Sequence, residues 1–269
     1  MSRIITLLSD FGSQDGYVGA MKGVILGINP RAMLIDISHE IETHDIMAGA
    51  FVLASACDHF PQGTIHIAVV DPGVGSKRRA IIVETSKGYF VGPDNGIFTL
   101  MCGREKVTRI VTIQNPKFRV SAVSQTFHGR DIFAPAGAYL SLGVPAELFG
   151  PPVDAVEMIS LPSPRVTGRT MEGQVIHIDR FGNLITNISA RLFGCFVGTG
   201  TQEIWAENHR VSGPYSSYEE GRGRGVFAIF GSSDLLEIST TGENAHKMLG
   251  LARGAVVRVL KPTKGARKK

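Results

Sequence analysis

Four short stretches place polar residues where an enzyme site needs them: Ser9-Asp10-Phe11-Gly12, Asp71-Pro72-Gly73-Val74-Gly75-Ser76-Lys77-Arg78-Arg79, Phe127-His128-Gly129-Arg130-Asp131 and Asp179-Arg180-Phe181-Gly182-Asn183. The second and third supply a carboxylate, a guanidinium and an imidazole. Each stands near glycines that let backbone approach a ligand closely. Arg78 follows Asp71 by seven residues, so a returning loop brings the guanidinium back to the acid. The same spacing also fits a surface ion pair worth little. His128 suits a proton acceptor or an orienting donor, and equally a loop histidine with its bonds satisfied.

Asp10 ends a β-branched run and faces a glycine loop. A carboxylate there can accept two hydrogen bonds from the vicinal hydroxyls of a ribose, or it can simply close an Asx turn. Asp179, Phe181 and Asn183 alternate along a loop-to-strand edge. An acid, an aromatic ring and an amide suit an ammonium group and a purine, and also suit a plain β-turn. Ser232-Ser233 follows the apolar run Phe227–Phe230, where hydroxyls could hold a carboxylate or merely form a turn.

Other chemistries find no support. Asp71–Gly75 holds Gly-x-Gly without the third glycine of a dinucleotide fingerprint, and Lys77 lacks the context of a phosphate loop. Cys57, Cys102 and Cys195 fit neither a zinc spacing nor a disulfide framework, so buried reduced thiols are expected. His44, His66 and His177 form no ligand set, and His66 and His177 are expected to face outward from strands. The one Glu-x-x-His, Glu243 to His246, stands alone. No metal site and no cofactor are expected.

The elements that must position these residues read as α/β over the first ~160 residues. Ile4–Leu8 is a strand, and Tyr17–Ile28 has helical apolar spacing through Val18, Met21, Val24, Ile25 and Ile28. Asn29-Pro30 stops that helix, and Met33–Ile37 is the next strand. Such a unit predicts a parallel pair with a right-handed crossover. Asp45–Cys57 reads as a second helix and Gly63–Val70 as a third strand. Ala80–Glu84 and Tyr89–Val91 suggest a hairpin, and Asp131–Leu142 a helix that tolerates Pro135 in its first turn. Ligands in open α/β sheets bind beyond the carboxyl ends of the strands, and Asp10, Asp36 and Asp71 sit at or near such ends.

Gly150–Arg169 carries four prolines and little periodicity, so the domain linker is placed there. The remainder is glycine-rich with short β-like runs at 172–178, 183–188, 226–230, 235–239 and 255–260, which predicts a small β-barrel or sandwich. The expected domains are 1–160, α/β with a largely parallel sheet, and 170–263, a smaller β-barrel. The 269 residues carry a net charge of +4, partly from a basic tail at Lys261–Lys269. A frayed solvated terminus explains that tail better than nucleic-acid binding does. No apolar run approaches ~20 residues, so no membrane span is expected. The N-terminal run is too short for a signal-peptide core, and the expected location is the cytoplasm.

Taken in order, ITLLSDFGSQDGYVGAMKGVI, DISHEI, VVDPGVGSKRR, GPDNG, TFHGRDIFAPA and IDRFGNLITNI resemble the S-adenosylmethionine (SAM) hydroxide adenosyltransferases. These are adenosine-forming SAM hydrolases related to the fluorinating and chlorinating SAM enzymes. The resemblance spans residues 4 to 188, with GSSDLLEI at 231–238 extending it. It implies an N-terminal α/β domain, a C-terminal β-barrel, and a homotrimer with sites at subunit interfaces. It assigns Asp71, Arg78 and His128 to holding and activating water, and Asp10 to the ribose hydroxyls. Phe127, Asp179, Phe181, Asn183 and Ser232 become substrate-binding, with Asp179 on the methionine ammonium and Ser232 on its carboxylate. The implied reaction is attack of water on C5′ of SAM, giving adenosine and methionine. Gly129 stands where the halogenating relatives carry a serine, which favours water over halide. A halogenase and a non-catalytic SAM or adenosine sensor are the competing readings.

Overall fold

The computed structural model describes residues 4–261, so the basic tail beyond Lys261 lies outside the described residues. The chain divides into two compact units between Ile159 and Ser160.

The first unit is a three-layer α/β/α sandwich. Its strands are β1 (Ile4–Ser9), β2 (Met33–Ser38), β3 (Thr64–Val69), β4 (Ala80–Thr85), β5 (Gly88–Pro93) and β6 (Val107–Thr112). They lie in the order β2-β1-β3-β5-β4-β6. The pairs β1–β2, β1–β3 and β3–β5 are parallel, and β4 runs antiparallel to both its neighbours. The sheet is therefore largely parallel with one reversed strand. Helices α1 (Tyr17–Ile28), α2 (Ile46–Ala56), α3 (Thr99–Cys102) and α4 (Ala134–Ser141) complete the unit. Side chains alternate along each strand, so one sheet face packs Ile5, Leu7, Ile65 and Ile67 against α1 and α4. The other packs Leu8, Ala68, Val70 and Phe90 against α2 and α3.

The helical spacing read for α1 holds, with Met21 and Ile25 buried. Asp45 caps α2, its side chain accepting from the Ala48 amide at 2.9 Å. The helix expected over Asp131–Leu142 is different. A π-turn occupies Gly129–Phe133, and α4 begins only at Ala134. The cause is Pro135, which lacks an amide to offer the Asp131 carbonyl and whose ring would crowd it. That carbonyl accepts from the Val120 amide at 3.0 Å instead.

His66 does not face outward. It is 4% exposed, stacked on Phe90, with Nδ1 2.8 Å from the Thr6 hydroxyl. Strand β3 lies inside a sheet covered on both faces, so neither of its faces reaches water. The cysteines are free, but they are not all buried: Cys57 and Cys102 are half-buried and Cys195 is exposed. The proline-rich segment after Phe149 is not loose either. Pro151 and Phe149 carbonyls accept from Thr112 and Gln114, and the Val153 amide donates to Ile110.

The second unit is a closed barrel. Its strands are β7 (Arg165–Thr167), β8 (Thr170–Ile178), β9 (Leu184–Ser189), β10 (Glu203–Ala206), β11 (His209–Tyr215), β12 (Val226–Phe230), β13 (Leu235–Thr240) and β14 (Val256–Leu260). Seven of them, in the order β14-β10-β11-β12-β13-β9-β8, close when β14 pairs with β8, and β7 extends β8 outside the ring. All pairs are antiparallel except β11–β12. Inward side chains including Met171, Val175, Leu184, Ile204, Leu236 and Val257 fill the interior. Helices α5 (Ala190–Val197) and α6 (Ala245–Leu249) flank it. Strands β7, β10 and β11 and helices α5 and α6 lie outside the runs read from the sequence, although α5 is amphipathic, capped by the Ser189 side chain and closed by Gly198. Among the described residues no helix is long and apolar enough to cross a membrane.

Candidate active site

Two consecutive turns carry the chain from the end of β3 to the start of β4. The Val74 amide donates to the Asp71 carbonyl at 3.2 Å and the Ser76 amide to the Gly73 carbonyl at 3.0 Å. Gly75 takes φ +76°, and a Cβ there would lie 2.5 Å from the Gln125 carbonyl oxygen, so only glycine fits. The loop thereby returns Arg78 to Asp71. Arg78 Nε donates to Asp71 Oδ1 at 2.9 Å and Oδ2 at 3.0 Å, and Nη2 donates to Oδ2. The side chains are 10% and 5% exposed, so this is no surface pair. The Phe133 ring lies beneath the guanidinium, 5.3 Å from its Cζ.

Arg78 Nη2 also donates to His128 Nδ1 at 2.7 Å. That contact fixes a tautomer. A guanidinium only donates, so Nδ1 must accept, and the ring proton resides on Nε2. Burial, reinforced by the Arg78 charge, holds the His128 pKa below its ordinary 6.5 against the pull of Asp71 and Asp131. His128 caps the N-terminal side of the π-turn, a geometry that recurs at functional sites.

Asp10, Tyr17, Thr43, Asp71, Phe127 and His128 line a cavity of about 400 Å³. Phe11, Tyr17 and Phe127 meet one another at 5.2 to 5.9 Å between ring centres and form its apolar side. Asp10 Oδ2 accepts from the His44 amide at 2.9 Å, and the Gly12 amide donates to the His39 carbonyl at 2.8 Å. Ser9 Oγ lies 2.7 Å from His39 Nδ1, tying the Asp10 loop to the segment after β2. Asp36, the third strand-end acid, pairs with Lys22 at 2.6 Å and His39 at 3.1 Å.

The second unit holds the remaining candidates. Asp179 organises its own loop: Oδ1 accepts from the Phe181 and Asn183 amides at 2.9 and 2.8 Å, and Oδ2 from Asn183 Nδ2 at 2.8 Å. The Phe181 side chain is 77% exposed. Ser232 is exposed in the turn between β12 and β13. Asn183 Nδ2 lies 3.4 Å from the Tyr218 hydroxyl.

Two family models match this sequence, the SAM hydroxide adenosyltransferase N-terminal domain over residues 5–150 and its C-terminal domain over 173–258. The chain belongs to the SAM hydroxide adenosyltransferase family. It is 46% identical over 258 residues to a protein of Methanocaldococcus jannaschii named (R)-S-adenosyl-L-methionine hydrolase, covering 92% of each chain. It is 37% identical to a protein of the same name from Thermus thermophilus, covering 96% of this chain and 100% of that one. A crystal structure of an uncharacterized conserved protein from Thermotoga maritima superposes with a TM-score of 0.90 at 33% identity, covering 96% of this chain and 100% of that one.

The first unit gathers Asp10, Asp71, Phe127 and His128 at one cavity, with Arg78 bonded to both Asp71 and His128. Sequence reasoning missed its other walls, Tyr17, Thr43 and His44. It also missed Glu237 on β13. Burial first, and the Asp179 charge second, push the Glu237 carboxyl up to about 7. Gly231, next to Ser232, lies against the Glu237 carboxyl, which a Cβ there would have to displace. Among the described residues no three His, Cys, Asp or Glu side chains cluster as metal ligands would.

Proposed function

We propose that this chain hydrolyses S-adenosyl-L-methionine to adenosine and L-methionine by attack of water on ribose C5′. The observation that carries the reading is Arg78 joined at once to Asp71 and to His128 Nδ1, two residues that line the same cavity as Asp10. Family membership and the names of the two relatives support it.

The sulfonium leaves as a neutral thioether, so no general acid is required. The demand falls on the nucleophile. Water binds between His128 Nε2–H, which donates to its oxygen, and the Asp71 carboxylate, which accepts from it. His128 Nδ1 is occupied by Arg78 and Nε2 already carries a proton, so the imidazole orients the water rather than taking its proton. Asp71 receives that proton as the O–C5′ bond forms. The C5′–S bond breaks with its electron pair passing to sulfur. Arg78 stabilises the hydroxide-like charge through charge-assisted bonds. Charge is destroyed along the path, so the aromatic wall of Phe11, Tyr17 and Phe127 favours the transition state by excluding water.

Asp10 takes the ribose hydroxyls and Phe127 packs against the nucleoside. Asp179 meets the methionine ammonium, Phe181 and Asn183 contact the ligand, and Ser232 holds the carboxylate. In this reading residues 1–160 and 170–263 are the functional domains of a cytoplasmic homotrimer, with each site at a subunit interface. Static light scattering at the trimer mass tests that assembly. The L descriptor already fixes the methionine α-carbon, so the (R) in the relatives' names denotes the sulfonium centre, and we assign the same epimer here.

The deciding experiment incubates the protein with each sulfonium epimer in ¹⁸O-water. Adenosine labelled at 5′, with methionine in equal amount and from the (R) epimer, is expected. Bound but unconsumed SAM makes the site a sensor, and a halide-dependent product makes it a halogenase. The pH dependence gives a second test. Only neutral His128 accepts from Arg78, and its pKa lies below 6.5. The acid limb of kcat/KM is therefore expected below pH 6.5. A limb centred at or above 6.5 contradicts the tautomer assignment.

A further inference from the structure

The motif Gly92-Pro93-Asp94-Asn95-Gly96 has no part in the chemistry above, yet it sits behind it. Strand β5 lies between β3 and β4 in the sheet. Asp71 follows β3 and Arg78 precedes β4, so the loop joining them arches over the end of β5. Asp94 and Asn95 emerge at that end.

Asn95 Nδ2 donates to the carbonyl of Val70, the residue before Asp71, at 2.8 Å, while its Oδ1 accepts from the Ile97 amide at 3.2 Å. Asp94 grips the other foot. Its Oδ2 accepts from Arg79 Nε at 2.6 Å and Nη2 at 2.5 Å, and its Oδ1 accepts from the Glu157 amide at 2.7 Å. The Asp94 side chain is 1% exposed, so its charge depends on these partners. The Asp94 amide donates to the Arg79 carbonyl at 3.0 Å, and the same carbonyl accepts from Arg78 Nη1 at 3.4 Å. One peptide oxygen thus joins the motif directly to the guanidinium at the site.

We propose that Asp94 and Asn95 are positioning residues that fix the distance between Asp71 and Arg78 and hold Arg78 against His128. Asn95 sets the Asp71 foot of the arch and Asp94 the Arg78 foot. Neither touches the cavity. Two turn hydrogen bonds shape the arch between them, and the clamp at its two ends fixes how that arch is seated over β5. The inference builds on the hydrolase reading but has a readout that does not need turnover.

The test compares Asn95→Asp and Asp94→Asn with the unaltered protein, each also in an Arg78→Ala background. Asn95→Asp keeps the acceptor for Ile97 and removes the donor to Val70. Arg79→Gln, at a side chain 37% exposed, opens the same clamp should a buried variant fail to fold. A displacement of ~1 Å in a reacting group costs ~10² in rate. We expect kcat to fall roughly 10- to 100-fold with KM for SAM within about threefold, and no further fall in the Arg78→Ala background. Nitrogen-detected NMR titration of His128 should show its pKa rising toward 6.5 in the same variants, as in Arg78→Ala. Losses that multiply with Arg78→Ala, or folded variants with both kcat and the His128 titration unmoved, overturn the proposal. A chain that leaves SAM intact while its His128 pKa still responds overturns the hydrolase reading and leaves the clamp standing.

Discussion

Replacing Asp71 or His128 by alanine is expected to lower kcat by ~10² to 10⁴ while SAM still binds, the range for losing a positioned proton acceptor or the donor that orients its water. The two losses should differ in character. Asp71→Ala removes the proton acceptor and also strips Arg78 of the carboxylate that takes its Nε and Nη2. The freed guanidinium swings, so the His128 contact at 2.7 Å loosens as well. His128→Ala removes one donor to the water and leaves the Asp71–Arg78 pair in place. Asp71→Ala is therefore the more damaging of the two. The double variant should lose little beyond Asp71→Ala, because residues acting as a unit are far from additive. Single-turnover kinetics with calorimetric SAM binding checks this. Full activity in either single variant removes that residue from the mechanism.

The second large effect is on stability, and it has opposite signs in the two units. Burial lowers the His66 pKa from 6.5 to about 4. The folded state prefers neutral His66, so its contribution is complete above pH 6.5 and is lost as pH falls from 6.5 toward 4. Linkage converts the difference to roughly 3 kcal/mol. Glu237 behaves the other way. Its carboxyl rises from 4.5 to about 7, so its contribution is present below pH 4.5 and is lost as pH rises through 7. Thermal unfolding from pH 4 to 8, with peptide-resolved hydrogen exchange to separate the units, should show acid weakening around β3 and alkaline weakening around β13. His66→Asn should flatten the first slope and Glu237→Gln the second. Unchanged slopes in these variants assign the pH dependence elsewhere.

What the sequence disclosed, and what it hid, follows from the range of each interaction. Helix α1 was legible because five apolar residues share one face at helical spacing. The hairpin of β4 and β5 was legible because Ser86-Lys87-Gly88 separates the β-branched run Ile81–Val83 from the aromatic-rich run Tyr89–Val91. Asp71, Arg78 and His128 stood out singly, and only a spacing hinted that a loop would join the first two. Nothing local announced that Arg78 would also bond His128, 50 residues away. His66 was misread because polar–apolar alternation signals an outward side chain only when one sheet face is wet, and in a two-faced parallel sheet none is. Glu237 was invisible because Asp179 and Tyr218 approach it through the packing of the barrel. The π-turn required the Asp131 carbonyl to find Val120, a tertiary contact.

The barrel seam has a consequence for synthesis. Its closing strands, β8 and β14, lie at opposite ends of the second unit's sequence, with Gly173 facing Val257 and Met171 facing Val259. Strand β8 leaves the ribosome early and waits with an open edge until the last strand arrives more than 75 residues later. Such non-local pairing slows folding, and open strand edges invite aggregation. The first unit lies wholly ahead of the barrel in the chain, and its own last layer, α4 over β1 and β3, is complete before β8 is made. A nascent chain should therefore carry a finished α/β unit while its barrel is still an open ribbon, and a stop codon anywhere before Val256 leaves that ribbon permanently unsealed.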